Sequence, residues 1–390
     1  MGGDPVPIGR RVAYLRARRR LSQQSFADRL GKSKSWVDKV ERGVRSLERV
    51  STIREIAAVL RVDPAALLGR DAQPAGVAEC REGVARIRAA LSAYPMAFHR
   101  PADQAVMSPD RLARDVWQVW MTYQYARYPR VVELLPALVT EVHRVDAQVP
   151  AAGPETVVEV YRVTAALLVK LGEESLAWLA ADRAMSAAAG DRVLLACAAV
   201  QLGQVLRASA RTRPVLLAAA SQITPETPQE LSLCGSLLVQ AALTAAVAGD
   251  DRASGDLLDE AAGLAARVGD GHDHHRTAFG PTAVELARVT AAVELGDGPQ
   301  AVARHRGAIG RDGWRWLPVE HRAAHLIDAA RAHLQTNDPG NAAGLLVRVH
   351  SIAPAEIRHR PCARHVVAQA ARHPDAPPTI TQLAINLGVL

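Results

Sequence analysis

The chain has 390 residues, of which 49% are hydrophobic and 22% charged. One hydrophobic core rarely serves more than about 250–300 residues, so this length predicts at least two domains. The hydrophobic content excludes an extensively disordered chain. The first 70 residues carry 16 Lys or Arg against 7 Asp or Glu, a net charge of +9, whereas the whole chain carries +7. The positive excess therefore lies entirely in the N-terminal segment, the pattern expected of a domain that binds a polyanion.

The cysteines and the apolar segments favour a cytoplasmic protein. Cys80, Cys197, Cys234 and Cys362 are far apart and form no CxxC pair, so we expect them to be reduced and buried among helices. The residues after Met1 show no signal-peptide pattern. The uncharged stretch 231–249 is long enough to span a bilayer, but its polar side chains favour a buried helix. We therefore expect a cytoplasmic, nucleoid-associated protein with no membrane partner.

Helical spacing of apolar residues predicts five short helices in the N-terminal segment. Ser22 and Ser33 are suitable N-caps, and Gly31 can adopt the left-handed conformation that ends a helix. The first predicted helix begins at Ile8, and the next three cover residues 23–30, 34–42 and 51–60. Pro64 opens a last helical turn that ends near residue 69. Two short helices separated by a turn containing Gly form a helix-turn-helix unit.

These residues resemble the XRE family, the phage-repressor-type helix-turn-helix regulators. Residues 21–31, LSQQSFADRLG, are similar to the second helix and turn of that family. Residues 36–43, WVDKVERG, resemble its recognition helix, and residues 56–68, IAAVLRVDPAALL, resemble its closing segment. The resemblance covers residues 8–70. It implies a five-helix, lambda-repressor-like domain that binds double-stranded DNA in the major groove.

The geometry of a recognition helix indicates which side chains would contact DNA. Its N-terminal residues lie at base edges, so we expect Lys34 and Lys39 to donate to guanine and Trp36 to cover a thymine methyl group. Gln23 stands at a helix N-terminus that favours phosphate, and the resemblance also implies this role. Glu41 is expected to be structural, because the duplex would repel an anion. The complete predicted DNA-binding set is Gln23, Lys32, Ser33, Lys34, Ser35, Trp36, Lys39, Arg42 and Arg45.

The remaining sequence predicts an all-α repeat. Its patterns are helical, and short turns of Gly or Asn followed by an acidic residue end helices near 172, 190, 249, 269, 296 and 337. With a further break near 210, alternate helix ends lie near 172, 210, 249, 296 and 337 and recur about every 40 residues, which is typical of an α-solenoid of helical hairpins. The pattern resembles drifted tetratricopeptide-like (TPR-like) repeats over about 155–375. The predicted division is 1–70 for DNA binding, 71–80 as linker, 81–150 as a helical connecting region and 151–390 as the repeat domain for sensing and dimerisation.

Two further features bear on what the repeat does. Residues 278–282, AFGPT, and 294–297, ELGD, resemble the sensor region of repeat-containing regulators of high-GC actinobacteria. The ratio of 43 Arg to 4 Lys agrees with a high-GC genome. An aromatic cluster near residues 117–128 has helical spacing that favours the core, with a sensor pocket or dimer contact as the alternative. Its members are Trp117, Trp120, Tyr123, Tyr125 and Tyr128.

The sequence offers little chemistry for catalysis. His272, His274 and His275 are close in sequence, and His321 and His325 lie one helical turn apart, as some zinc ligands do. The metalloprotease pattern HExxH is absent, however, and so are a Walker loop and a GxSxG elbow. We therefore expect hydrogen-bonded or exposed histidines, no metal, no cofactor and no enzyme activity.

The sequence favours a ligand-responsive transcription regulator. A homodimer would bind a palindromic operator, and the concave face of the solenoid would bind a peptide or small molecule. The alternative is an interaction adaptor whose solenoid holds a partner protein while the N-terminal domain tethers it to DNA. An enzyme with an appended DNA-binding module is the third interpretation.

Overall fold

A computed structural model describes residues 8–19, 21–45, 47, 50–60, 62, 67, 75–93, 107–148, 153–188, 190–209 and 211–390. These described residues form twenty α-helices and two short 3-10 helices, and none of them lies in a strand. The chain divides into two compact units, residues 1–78 and residues 79–390. The all-α class predicted from the sequence is therefore confirmed.

The first unit contains four described helices: α1 (Ile8–Arg18), α2 (Gln23–Leu30), α3 (Lys34–Glu41) and α4 (Val50–Leu60). Ser22 caps α2 by accepting from the backbone N–H of Ser25, and Ser33 caps α3 by accepting from that of Trp36. Gly31 ends α2 with a φ of 62°. The core contains Val12, Phe26, Val37, Ile56 and Leu60. The predicted last turn from Pro64 lies outside the described residues except Leu67, which is buried.

The predicted linker is wrong in its second half. Residues 71–74 lie outside the described residues, but helix α5 (Ala75–Ser92) begins at Ala75. Its apolar positions Cys80, Val84, Ile87 and Leu91 follow helical spacing and are buried. Two of the small residues that suggested a linker, Ala75 and Ala78, are good helix formers, and the buried face that follows them stabilises the helix. The division between the two units falls inside α5, after Ala78.

The second unit continues with two long helices and then a series of hairpins. The long helices are α6 (Pro109–Gln124) and α7 (Tyr128–Gln148). The hairpins are α8 (Pro154–Leu171) with α9 (Glu174–Ala187), α10 (Arg192–Val205) with α11 (Thr212–Ser221), α12 (Pro228–Val247) with α13 (Asp251–Val268), α14 (Pro281–Glu294) with α15 (Gly298–Ile309), and α16 (Val319–Gln335) with α17 (Pro339–Ile352). The last helices are α18 (Pro354–His359), α19 (Pro361–Arg372) and α20 (Pro378–Leu387).

The hairpins form the predicted repeat. Their first helices begin at residues 154, 192, 228, 281 and 319, giving intervals of 38, 36, 53 and 38 residues. Each first helix packs against the first helix of the next hairpin, as expected of a solenoid. The long interval contains the segment 269–280, which we call the insert loop. The predicted turn residues all have a positive φ: Gly172, Gly190, Gly249, Gly269, Gly296 and Asn337.

The predicted connecting region packs within the same core as the repeats. The Tyr128 hydroxyl of α7 donates to the carboxylate of Glu356 in α18, and Gln124 of α6 donates to Asp273 of the insert loop at 2.7 Å. A single cluster of buried side chains contains residues from every helix in the ranges α5–α9 and α16–α20. The described residues of this region, 81–93 and 107–148, are therefore structural members of the second unit.

The predicted core helix and the predicted burial of the cysteines can both be compared with the structure. Helix α12 is apolar enough to span a membrane, but 83% of its apolar window is buried within the fold, which confirms its assignment as a core helix. Cys80, Cys197 and Cys234 are buried as expected, whereas Cys362 is exposed. Cys362 lies in the first turn of α19, where the side chain faces away from the packed positions Ala363, Val366 and Val367.

Candidate nucleic-acid interface and inner cavity

The start of helix α3 presents cations and hydroxyl groups on an exposed surface. Lys32, Ser33, Lys34, Ser35 and Lys39 are all exposed. The three lysines have no ion-pair partner among the described residues, so their charges are available to an anion. The hydroxyl oxygen of Ser33 lies 3.1 Å from the backbone nitrogen of Trp36 and caps the helix.

The other predicted DNA-binding residues of this helix have mixed environments. Trp36 is half-buried against the core, and the guanidinium of Arg45 lies 6.0 Å from its ring centroid. Arg42 is exposed and lies 3.5 Å from Asp38, one turn earlier on the same helix. Arg45 is exposed. The cationic surface therefore extends from the start of α3 to the residues that follow it.

Glu41 connects three elements of the first unit. The Nε and Nη2 atoms of Arg16 lie 2.6 Å and 2.9 Å from its carboxylate oxygens, and the Gln23 amide donates to it at 2.8 Å. The hydrogen bond with the Glu41 carboxylate raises the pKa of the Arg16 guanidinium. Glu41 is 8% exposed, which agrees with the structural role expected of it. The same contact engages one amide donor of Gln23, whose phosphate contact remains a prediction.

Sequence reasoning missed Arg16 as the partner of Glu41. The two residues are 25 positions apart, so no helical spacing relates them. The weak signal was Arg16 itself, an arginine on α1 close to the apolar positions that face the core.

The second unit contains an inner cavity of about 270 Å³ among the first helices of the hairpins. Its volume is close to the lower end of the range for small-molecule pockets, about 300–1,000 Å³. Residues from α6, α8, α10, α12, α14, α16 and the insert loop line it. Its polar lining includes Lys170, Gln201, Gln204, Arg207, Gln240 and Asp328, and its apolar lining includes Val200, Val239, Leu243, Phe279 and Leu286.

A buried charge network forms one wall of the inner cavity. The ammonium of Lys170 lies 2.7 Å from Glu320 and 2.9 Å from Glu356, and Arg360 lies 3.1 Å from Glu356. Burial alone would raise the pKa of Glu356, but Lys170 and Arg360 outweigh it and hold that pKa below its usual value. Burial also acts to raise the pKa of Glu320, but the nearby charge of Lys170 outweighs it and lowers that pKa. These carboxylates are therefore ionised, and they neutralise the cations beside them.

The insert loop separates the inner cavity from a second cavity of about 280 Å³. Phe279 borders both cavities, and the second one is also lined by Tyr125, Trp316 and Arg322. His275, Arg276 and Ala278 have φ values of 51°, 60° and 47°, in the left-handed region that costs an L-residue about 1–2 kcal/mol. Two hydrogen bonds hold this backbone. The backbone N–H of Ala278 donates to the Asp273 carboxylate, and the Arg162 guanidinium donates to the carbonyl of His275.

The aromatic cluster divides between core and surface. Trp120, Tyr123 and Tyr128 are buried, so the core interpretation is confirmed for them. It is wrong for Trp117 and Tyr125, which are 56% and 55% exposed because they lie on the outer face of α6 and at its end. Trp120 and Tyr123 also line the inner cavity, and the alternative of a sensor pocket stays a prediction.

Several of the described histidines contact a carboxylate or another histidine ring. Nδ1 of His305 lies 2.9 Å from Nε2 of His325, His321 lies 2.8 Å from Glu320, and the rings of His272 and His274 stack. Within the described ranges, no group of three or more His, Cys, Asp or Glu side chains is arranged to hold a metal ion.

Comparison with known proteins identifies the first unit. The family model of a helix-turn-helix domain matches residues 7–68. No curated protein sequence matches the chain significantly. A crystal structure of Bacillus thuringiensis PlcR, in complex with the peptide PapR7 and DNA, is 12% identical and covers 90% of this chain and 98% of that one, with a TM-score of 0.32. That score supports no residue-by-residue correspondence. The N-terminal unit of this protein is a helix-turn-helix domain.

Proposed function

We propose that this protein is a sequence-specific DNA-binding transcription regulator whose repeat unit responds to a ligand. The observation that carries the proposal is the exposed cationic start of α3 in a helix-turn-helix domain. Lys34 and Lys39 read base edges in the major groove, and Lys32, Arg42 and Arg45 contact phosphates. The protein acts on the bacterial nucleoid as a homodimer, because one small module binds DNA weakly and a dimer matches a palindromic operator.

The inner cavity supports the ligand-responsive part of the proposal. Its lining is rich in polar and charged side chains, which lie beside an apolar wall from α12, α14 and the insert loop. Converging polar groups of this kind orient a bound ligand in small-molecule sites. Binding there shifts the population of repeat conformations and thereby the spacing of two DNA-binding domains in the dimer. A small molecule or part of a short peptide is the effector, and no catalytic step is proposed.

The interaction adaptor remains the second candidate because of one surface feature. Trp117, Tyr125 and Trp316 are all more than half exposed, and large aromatic residues are enriched at protein interfaces. In this alternative the repeat unit holds a partner protein through those side chains.

Genome-wide capture of DNA bound to the protein tests the proposal. A regulator enriches a limited set of sites that share a sequence with two-fold symmetry, and its half-sites lie about one helical turn apart. Capture that shows no preferred sequence would overturn sequence-specific regulation.

A second measurement separates the sensor from the adaptor. Protein-free extract of culture medium or cells is added to a footprinting reaction on a captured site. A footprint that changes with this extract supports the sensor. A footprint that responds only to extract containing protein, together with a partner recovered by pull-down, supports the adaptor.

A further inference from the structure

Arg207 is the cation of the inner cavity that lacks a carboxylate partner. Its Nη2 atom donates to the amide oxygen of Gln240 at 3.1 Å, and no described acidic side chain lies within ion-pair distance of it. Its Nε atom is buried and has no hydrogen-bond partner. Burial lowers the pKa of this guanidinium, which shows that its positive charge is poorly compensated.

Two more unpartnered polar atoms belong to residues that line the same cavity. The indole Nε1 of Trp120 and Nδ1 of His325 are buried without partners, and both residues are at most 3% exposed. Buried polar groups in folded proteins nearly always have a partner, and the N–H groups of Arg207 and Trp120 can only donate, so these two groups indicate a missing acceptor. An anionic oxygen group would supply these acceptors and would also neutralise the positive charge of Arg207.

The other cations at the cavity do not compete for such a group. Lys170 and Arg360 are neutralised by Glu320 and Glu356. Arg276 lies 3.8 Å from Asp273. Asp328 also lines the cavity, and it lies 3.4 Å from Arg331. Arg207 therefore provides one positive charge without an ion-pair partner among the described residues, which matches a monoanion better than a dianion such as a phosphate monoester.

We propose that the inner cavity binds a small organic carboxylate, with the carboxylate on Arg207 and the apolar body against Val239, Leu243, Phe279 and Leu286. This inference rests on the proposed ligand-responsive function and names the chemistry of its effector. The cavity volume of about 270 Å³ accommodates a compact acid or the C-terminal residue of a peptide. Phe279 brings the insert loop into the site, so an occupant contacts both the repeat helices and the loop.

Three matched six-carbon probes test the proposal: hexanoate, hexanamide and hexyl phosphate, titrated against the full-length chain without DNA. Binding is measured by calorimetry and by the melting temperature. Hexanoate is expected to bind at millimolar concentration at least tenfold more tightly than the neutral amide, because a hydrogen bond to a charged group is worth about 1.5–3 kcal/mol and 1.4 kcal/mol is a factor of ten. Arg207→Gln is expected to remove that tenfold preference, and Arg207→Lys to retain part of it.

Arg252→Gln is the matched control, since Arg252 lies on α13 with a side chain that is 93% exposed and outside the cavity. It is expected to bind hexanoate as the unchanged protein does. Equal binding of hexanoate and hexanamide, absence of hexanoate binding, or full binding by a folded Arg207→Gln variant would overturn the inference. Preference for hexyl phosphate would overturn the assignment of a carboxylate. These measurements contain no DNA, so their failure leaves the DNA-binding part of the proposed function intact.

Discussion

At the scale of single residues, the Glu41 carboxylate organises the side of the helix-turn-helix domain that is proposed to bind DNA. It holds Arg16 of α1 and Gln23 of α2 against the end of α3. The side chains of Arg16 and Glu41 are 15% and 6% exposed, so the pair is largely shielded from water. Removing one member leaves the other as an uncompensated buried charge.

Glu41→Ala is therefore expected to destabilise the first unit by about 3 kcal/mol, the lower end of the cost of breaking a buried ion pair. The measurement is hydrogen exchange of the amides of α2 and α3 in the full-length chain. Asp38→Ala is the control, because it breaks the exposed pair with Arg42 and exposed pairs contribute at most about 1 kcal/mol. Equal protection in the two variants would contradict the structural role of Glu41.

The buried histidine pair makes the stability of the second unit depend on pH. Burial lowers the pKa of His305 to about 4 and that of His325 to about 3. Both values lie below the value of about 6.5 for an unfolded histidine, so the unfolded chain binds more protons below pH 6.5. The free energy of unfolding therefore falls as the pH falls from about 6.5 towards 4.

Urea unfolding at a series of pH values measures this effect. Each histidine contributes a slope of up to about 1.4 kcal/mol per pH unit in that window. The double variant His305→Gln/His325→Gln is expected to lose this contribution to the slope, although it is less stable overall. His365→Gln, which changes an exposed histidine, should leave the slope unchanged. An unaltered slope in the double variant would show that the pair does not titrate on unfolding.

At the scale of elements, helix α12 and the insert loop approach each other so closely that only glycine fits between them. A Cβ atom at Gly235 would lie 2.0 Å from the Phe279 ring, which is 3% exposed and borders both cavities. On the neighbouring helix α13, Gly255 has nothing within 4 Å of such an atom. The two glycines are thus a matched pair with opposite packing environments.

Gly235→Ala is expected to destabilise the second unit by about 2 kcal/mol, because overpacking a core costs about 1–3 kcal/mol. Gly255→Ala is expected to stabilise it by up to about 1 kcal/mol, because alanine is the better helix former. Denaturant midpoints of the full-length chain measure both changes. Stabilisation by Gly235→Ala would show that Phe279 does not pack against α12.

The sequence predicted the elements better than the contacts between them. Serine caps, glycine turns and helical spacing are local, so α2, α3 and the repeat turns were predicted close to their observed bounds. The insert loop depends on contacts between Arg162 and His275 and between Gly235 and Phe279, which are distant in sequence. Arg207 likewise gave no signal, because its lack of a carboxylate partner among the described residues is a property of the folded cavity.

At the scale of the whole molecule, charge and repeat period predicted two units with different tasks. The boundary was less accurate, because the start of α5 depends on a buried face whose described positions, from Cys80 on, come after the helix has begun. The first unit contains the excess cations and the second contains the cavities. Ligand binding without DNA and DNA binding without ligand can therefore each be tested with variants in one unit.

The most direct test of the account is the affinity of the protein for a captured operator duplex after the substitutions Lys34→Ala and Lys39→Ala. The full-length double variant is expected to lose specific binding, with at least a tenfold weaker affinity, because each base contact is worth about 1–3 kcal/mol. The control Arg192→Ala/Arg252→Ala changes two exposed cations of the second unit and should bind as the unchanged protein does. A folded Lys34→Ala/Lys39→Ala variant with normal operator affinity would contradict the assignment of α3 as the recognition helix.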